Sequence, residues 1–302
     1  MGVIIPQVVT EDRASGAQVI DGGLRFTGKQ ALSRTPSSAG NRRTWTYSVW
    51  VKNEEFVADV TQTLFSAWSS AGSTSNRTGF FWETRSSQSN ARANLNFYNT
   101  ISDTISPRKM PSAIFHDNSA WYHIVLVADT TNGTAADRVR IYVNGVRLED
   151  LSINTNGNNE QTWVNATSLH VIGANPNSLP SEPYRGYMSQ LYLIDGQALD
   201  ASYFGYTDPL TNTWRPKEYT GTFTGTNTFY LPMDGNSPIG KDMSGNGNDW
   251  TPINSGGSNY IDKATGAKPI LRTVNGGSVA SGGIKSLHKT YAVTVQNDSG
   301  NK

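Results

Sequence analysis

Apolar side chains fall on every second position from 139 to 143 in "RVRIYV", with Val139, Ile141 and Val143 on one side and Arg138, Arg140 and Tyr142 on the other. A period of two is the period of an extended strand, so this stretch belongs half buried on a sheet. Asn144-Gly145 follows, a pair that tolerates the two positive φ angles of a type I′ turn, and "VRLED" returns as the partner strand. The product is a hairpin with one face toward water. Just upstream, "AWYHIVLVAD" at 120–129 is apolar on odd and even positions alike, which predicts a central strand covered on both faces.

Similar runs recur at 44–52, 62–68, 78–84, 93–99, 168–174 and 187–195, separated by turn residues. Only "DASYFG" near 200 reads as a helical turn. Charged residues make up 16% of the chain while Gly, Ser, Thr and Asn abound, a composition that suits short strands better than helices. The predicted fold is all-β, a two-sheet antiparallel sandwich or jelly roll with extended N- and C-terminal segments. At 302 residues such a fold can bury roughly three quarters of its unfolded surface, so it needs no covalent staples. It has none, because there is no cysteine, and that also removes thiolate metal sites and cysteine nucleophiles. The expected organisation is an N-terminal arm over 1–19, the sandwich over 20–255, and a Gly/Ser-rich docking tail over 256–302 that ends in the strand-like "TYAVTVQN".

Several function classes fall away on composition and motif. With 25 basic and 24 acidic residues the formal charge is +1, so no field exists to gather nucleic acid or anionic lipid. The longest strongly apolar run, "IVLVA" at 124–128, is far too short to insert in a membrane. "MGVIIPQVV" is too short, too uncharged and too interrupted by Pro6 to read as a secretory leader. GxSxG and HExxH are absent, and no Glu has an acid two positions later, the spacing that sets two carboxylates in one cleft. A carboxylate pair could then arise only from distant strands. His116, His123, His170 and His288 lie apart and read as packed or edge histidines. "GTFTG" and "SGNGND" lack the glycine spacing and the following helix of a phosphate loop. No catalytic residue is assigned, and the chain is expected not to be an enzyme.

Two binding features remain. The chain has 8 Trp, 13 Tyr and 10 Phe, and flat rings stack on the apolar faces of sugars. Trp45, Trp50, Trp121 and Phe81 alternate into strand faces and are assigned to the core, whereas Trp82, Tyr98 and Tyr184 have polar neighbours and form the candidate carbohydrate platform. The second feature is "DMSGNGNDWTP" at 242–252. Asp242, Ser244, Asn246 and Gly247 occupy the first, third, fifth and sixth positions of a twelve-residue calcium loop, but the twelfth is Ile253 where a bidentate Glu belongs. Asp242, Asn246 and Asp249 could hold calcium weakly. The preferred alternative is a tight turn in which Asp and Ser side chains cap neighbouring amides, with no cofactor.

The order of "RRTWTYSVWVK", "AWYHIVLVADTT", "RVRIYVNGVRL", "HVIGA", "YRGYMSQLYLIDGQAL" and "FYLPMD…DMSGNGNDWTP" resembles the laminin-G-like, concanavalin A-like jelly-roll domains. "DGGLRFTGKQALSRTPSSAGNRRTWTYSVWVK" and "WRPKEYTGTFTGTNTFYLPMDG" are similar to the version carried by bacteriophage tail-fibre and other virion proteins. The resemblance implies two antiparallel sheets packed face to face. It also implies members that bind glycans or proteins or serve as virion building blocks. A rim calcium in some relatives would fall on Asp242, Asn246 and Asp249 here, and nothing matches the catalytic carboxylate motif of the glucanase branch. The expected function is therefore a non-enzymatic virion structural protein on the particle exterior, as a tail fibre, tail-associated or capsid-decorating subunit. Its expected partners are other virion proteins and further copies of itself. The alternative is a lectin-like adhesin that recognises host surface polysaccharide.

Overall fold

The computed structural model describes residues 17–254 other than 19, 21, 57–58, 85–92, 149, 155–156, 178 and 236–237, and only the backbone of 150–154. The expected tail over 256–302, and all of the expected arm but residues 17 and 18, lie outside the described residues.

The strands are β1 (Leu24–Thr27), β2 (Ala31–Arg34), β3 (Thr44–Asn53), β4 (Thr61–Trp68), β5 (Arg77–Thr84), β6 (Ala93–Ile101), β7 (Thr104–Pro111), β8 (Tyr122–Asp129), β9 (Val139–Val143) and β10 (Val146–Arg147). There follow β11 (Asp150–Asn154), β12 (Leu169–Ile172), β13 (Arg185–Asp195), β14 (Gly205–Thr207), β15 (Trp214–Pro216), β16 (Phe229–Leu231) and β17 (Thr251–Ile253). One sheet runs β1-β13-β3-β8-β9-β10, with β16 also on β13. The other runs β11-β7-β6-β5-β4-β12-β2-β17. Every pairing in both is antiparallel. This is the predicted two-sheet sandwich.

Alternation sets the core. Trp45, Tyr47, Val49 and Val51 of β3, with Ile124, Leu126 and Ala128 of β8 and Val139, Ile141 and Val143 of β9, form one buried layer. Phe65, Phe80, Trp82, Leu95 and Phe97 face them from the second sheet. Tyr47 lies parallel to Phe65 with centroids 5.0 Å apart, and Trp45 tilts against Phe97 at 6.1 Å. Each such side chain contributes about 1.5–3 kcal/mol by leaving water. At the β9–β10 hairpin, Asn144 and Gly145 have φ of 48° and 81°, as a type I′ turn requires. A methyl on Gly145 would stand 2.3 Å from the Trp214 ring.

The double-sided apolarity of β8 has a specific cause. Its outer-face Val125 and Val127, with Tyr192 and Ile194 of β13, pack beneath Leu199, Ala201, Phe204 and Tyr219. The chain from 198 to 223 is thus a third layer over the first sheet, and Tyr142 leans into it. The face of β9 expected to be wet is in part covered. The helical turn expected near 200 is a short 3-10 turn at Ala201–Tyr203, where Asp200 caps the Ser202 amide at 2.8 Å. Strand β7 shows no alternation in "TISPRKMP", yet Lys109 points inward at 3% exposure and donates to the Ala136 carbonyl at 3.3 Å.

Over the second sheet lies a lighter cover. Ser66 of β4 donates to the Ala174 carbonyl at 2.8 Å, so the loop after β12 folds back across the outer face of β4. The site described next lies beside that loop.

Candidate functional site

The register across β4, β5 and β6 fixes which side chains share the outer face of the second sheet. Trp68 pairs with Arg77, Gly79 pairs with Tyr98, and Phe81 pairs with Asn96. Since Phe80 and Trp82 point into the core, Arg77, Gly79 and Phe81 must point out. Gly79 is the residue that shapes this face. A methyl there would sit 2.9 Å from Tyr98 Cζ, so the absent side chain lets the phenol lean across β5. The Arg77 guanidinium carbon then lies 4.9 Å from the Tyr98 ring centroid and 5.1 Å from that of Trp68, held between two rings. Phe81 meets Tyr98 edge-on at 5.4 Å.

The loop from 174 to 183 supplies polar groups to the same face. Glu182, at φ 45°, fixes its carbonyl on the Thr63 amide at 2.9 Å, and its carboxylate accepts from Asn175 Nδ2 at 2.7 Å. Asn96 Nδ2 donates to Glu83 at 2.7 Å. Burial pushes the Tyr98 phenol up to about 12; Arg77 pulls against that shift and the Glu182 charge adds to it. Not all of the polar capacity is used. Trp68 Nε1, Arg77 Nε and Asn96 Oδ1 are buried with no hydrogen-bond partner. Unsatisfied polar atoms inside a protein cost about 1–3 kcal/mol each, so this face carries polar capacity that the fold itself leaves unmet.

Of the three residues expected to form a carbohydrate platform, only Tyr98 stands on this face, half buried. Trp82 is 0% exposed and points the other way, edge-on to Phe56 at 5.6 Å and Phe115 at 5.1 Å. Tyr184 is also fully buried, edge-on to Phe26 at 5.9 Å, with its hydroxyl donating to Lys52 O at 3.0 Å and Asn53 Oδ1 at 2.9 Å. Both are corrected to core residues. The sequence reading missed Trp68, Arg77 and Glu182, and Phe81, which it gave to the core, is buried at 8% exposure but on this outer face. The available signal was Gly79 inside a strand of large residues, which marks a close approach.

The loop "DMSGNGNDWTP" closes on itself. The two oxygens of Asp242 accept from the amides of Tyr230 at 3.0 Å, Ser244 at 2.8 Å and Asn248 at 2.8 Å, and from Ser244 Oγ at 2.9 Å. Asn246 Nδ2 donates to the carbonyls of Phe223 and Thr228 at 3.0 and 3.1 Å. Asp249 accepts from Lys241 Nζ at 2.8 Å and from the Asp242 amide at 2.9 Å. Hydrogen-bond donors thus surround each of the two carboxylates, and a cation would have to displace them. Among the described residues no group of three or more His, Asp or Glu side chains gathers. Asp242→Ala is expected to lower stability by about 2–3 kcal/mol, equally in calcium and in chelator. Denaturant unfolding checks it, and a calcium-dependent rise in melting temperature that this variant abolishes would identify a metal site instead.

One serine–histidine contact is chemically inert. Ser48 Oγ lies 2.9 Å from His123 Nε2, but Trp214 Nε1 donates to His123 Nδ1 at 2.9 Å. Since indole nitrogen only donates, Nδ1 must be the acceptor and Nε2 carries the proton, so His123 cannot take one from Ser48. Both residues are buried, with Trp50 stacked on the imidazole at 4.9 Å.

Comparison with known proteins agrees with this architecture. The model of the concanavalin A-like lectin/glucanases superfamily matches residues 26–202, more than half of the chain. No curated protein matches in sequence. Among solved structures, a candidate carbohydrate-binding protein from Bacteroides ovatus has a TM-score of 0.49 at 15% identity, over 78% of this chain and 58% of that one. Tailspike protein 2 from Escherichia coli O157:H7 bacteriophage CAB120 has a TM-score of 0.41 at 13% identity, over 65% of this chain and 25% of that one. Domains LG4-5 of the mouse laminin alpha1 chain have a TM-score of 0.39 at 10% identity, over 77% and 52%. In each of these three the chain spans less than two thirds of the matched protein.

Proposed function

Because the chain belongs to the concanavalin A-like lectin/glucanases superfamily, we propose that it acts by binding, without chemistry, and that its ligand is a glycan held on the outer face of β4, β5 and β6. The observation that carries this reading is the Arg77 guanidinium packed between Trp68 and Tyr98, beside buried polar atoms that lack partners. Arg77 and Tyr98 are the partly exposed members, lying over the buried Trp68 and Phe81, and a ring beside a planar cation suits a sugar: apolar on its faces, hydroxylated at its rim. The inert Ser48–His123 pair supports a role without catalysis.

The setting we infer is the exterior of a phage particle, supported by the stretches at 21–52 and 214–235 that resemble virion domains. There the protein would sit among other virion proteins and present this face to host polysaccharide. Tag density on intact particles tests the setting, and labelling confined to the particle interior would sink it. Truncation at 255 is expected to prevent incorporation while leaving the sandwich folded.

The binding reading has its own test. Wild-type protein is expected to bind host cells or immobilised surface polysaccharide, and Tyr98→Ala to weaken that binding at least about tenfold, a loss near 1.4 kcal/mol. Its melting temperature should change little, because Tyr98 lies outside the inter-sheet core. Equal binding by the variant, or release of reducing sugar by the wild type, would refute the proposal.

A further inference from the structure

Resting on that reading, we infer that the ligand is an acidic glycan whose carboxylate is taken by Arg77, with Arg108 as a second cation. Two observations lead there. First, Arg77 has no hydrogen-bond or ion-pair partner among the described residues, and its buried Nε lacks an acceptor. The contrast with other arginines is direct: Arg25 pairs with Glu54 at 3.0 Å, Arg147 with Asp137 at 2.7 Å and Arg185 with Glu55 at 3.1 Å. Second, Arg108 of β7 is in register with Tyr98, so it shares the outer face, and it too has no partner among the described residues. Two unpaired guanidiniums therefore flank one phenol.

The acids on this face do not cancel them. Glu83 accepts from Asn96, and Glu182 accepts from Asn175 and forms no ion pair with Arg77 or Arg108. The guanidinium is also restrained before any ligand arrives, because its carbon packs 5.1 Å from the Trp68 ring centroid and 4.9 Å from that of Tyr98. A planar fork held in place binds a carboxylate through two parallel hydrogen bonds and loses little side-chain entropy in doing so. A neutral sugar would leave both cations uncompensated, whereas a uronic acid or another carboxylated sugar meets Arg77 with charge and geometry together.

The test uses the full chain and matched polymers: polygalacturonate, alginate, hyaluronan and polysialic acid, each beside its carboxyl-reduced form, with dextran and dextran sulfate as controls. Binding is expected to at least one carboxylated polymer and to drop at least about tenfold on carboxyl reduction. Arg77→Gln should cause a similar loss with an unchanged melting temperature, and Arg77→Lys a smaller one, since it keeps the charge and loses the fork. Binding to dextran or to reduced polymers as tight as to the acidic ones would overturn the acid inference and leave the glycan platform standing. Dextran sulfate bound as tightly as the carboxylated polymers would overturn it as well, by exposing a general polyanion surface. Failure to bind any polymer would overturn this inference, and the proposed function falls with it if host cells are not bound either.

Discussion

Lowering the pH from 6.5 to 4.5 is expected to remove on the order of 5 kcal/mol of folding stability, comparable to the whole margin of many domains. The cause is two histidines that the fold buries as neutral rings. Burial takes His123 down to about 3 and His170 to about 4, from an ordinary value of 6.5. For His170 the Ser168 carbonyl pulls the other way, and the nearby Arg34 and Arg42 charges add to the depression. Its geometry also fixes the neutral form, because Nε2 accepts from the Asn165 amide at 3.0 Å, leaving Nδ1 to donate to Ser168 O at 2.8 Å. Below 6.5 the unfolded chain binds protons that the folded chain refuses, so stability falls as pH falls, by up to about 1.4 kcal/mol per histidine per unit. Asp195 opposes this: burial raises its carboxyl, which favours the folded state as it protonates, although donors from Asn227, Asn41 and Thr226 limit the rise. Urea unfolding at pH 7.5, 6.5, 5.5 and 4.5 checks the sum. A midpoint that stays constant across that range would mean that these rings are not buried neutral.

Trp82→Ala is expected to cost about 3–5 kcal/mol, the cost of a large cavity in a close-packed core. Trp82→Phe should cost much less, because Trp82 Nε1 has no hydrogen-bond partner to lose. The pair of variants separates the core assignment from the platform assignment made on sequence. If Trp82 faced solvent, both substitutions would leave unfolding near wild type and glycan binding would fall. Tyr98→Ala is the mirror case, with binding lost and stability kept. Denaturation of the three proteins alongside one binding assay places each ring on its side of the sheet.

Why the two rings were exchanged is a question of parity. In "TGFFWET" a period of two says that Phe80 and Trp82 share a face and that Phe81 takes the other, but with aromatics on both faces it does not say which face is inward. Polar neighbours pointed outward for Trp82, and the only counter-signal was Gly79, which the structure places under Tyr98. Tyr184 failed differently: the polar groups near it satisfy a buried hydroxyl, and they come from Lys52 and Asn53, remote in sequence. Strands with one polar side and one apolar side, such as β9, were legible because parity and hydrophobicity agreed. The layer over the first sheet was not, because Phe204, Tyr219 and Phe223 lie in irregular chain without a period. The turn at Asp242 was legible as a choice between two chemistries. The four donors on its carboxylate come partly from Tyr230, twelve residues away, and no local pattern could have supplied them.

Hydrogen exchange of the full chain, with and without the polysaccharide it binds most tightly, addresses the binding face most directly. Slower exchange over 61–84 and 93–101, with the covering segment 198–223 unchanged, is the expected result. Protection confined to that covering segment or to the turn at 242–252, with β4, β5 and β6 unaffected, would contradict it.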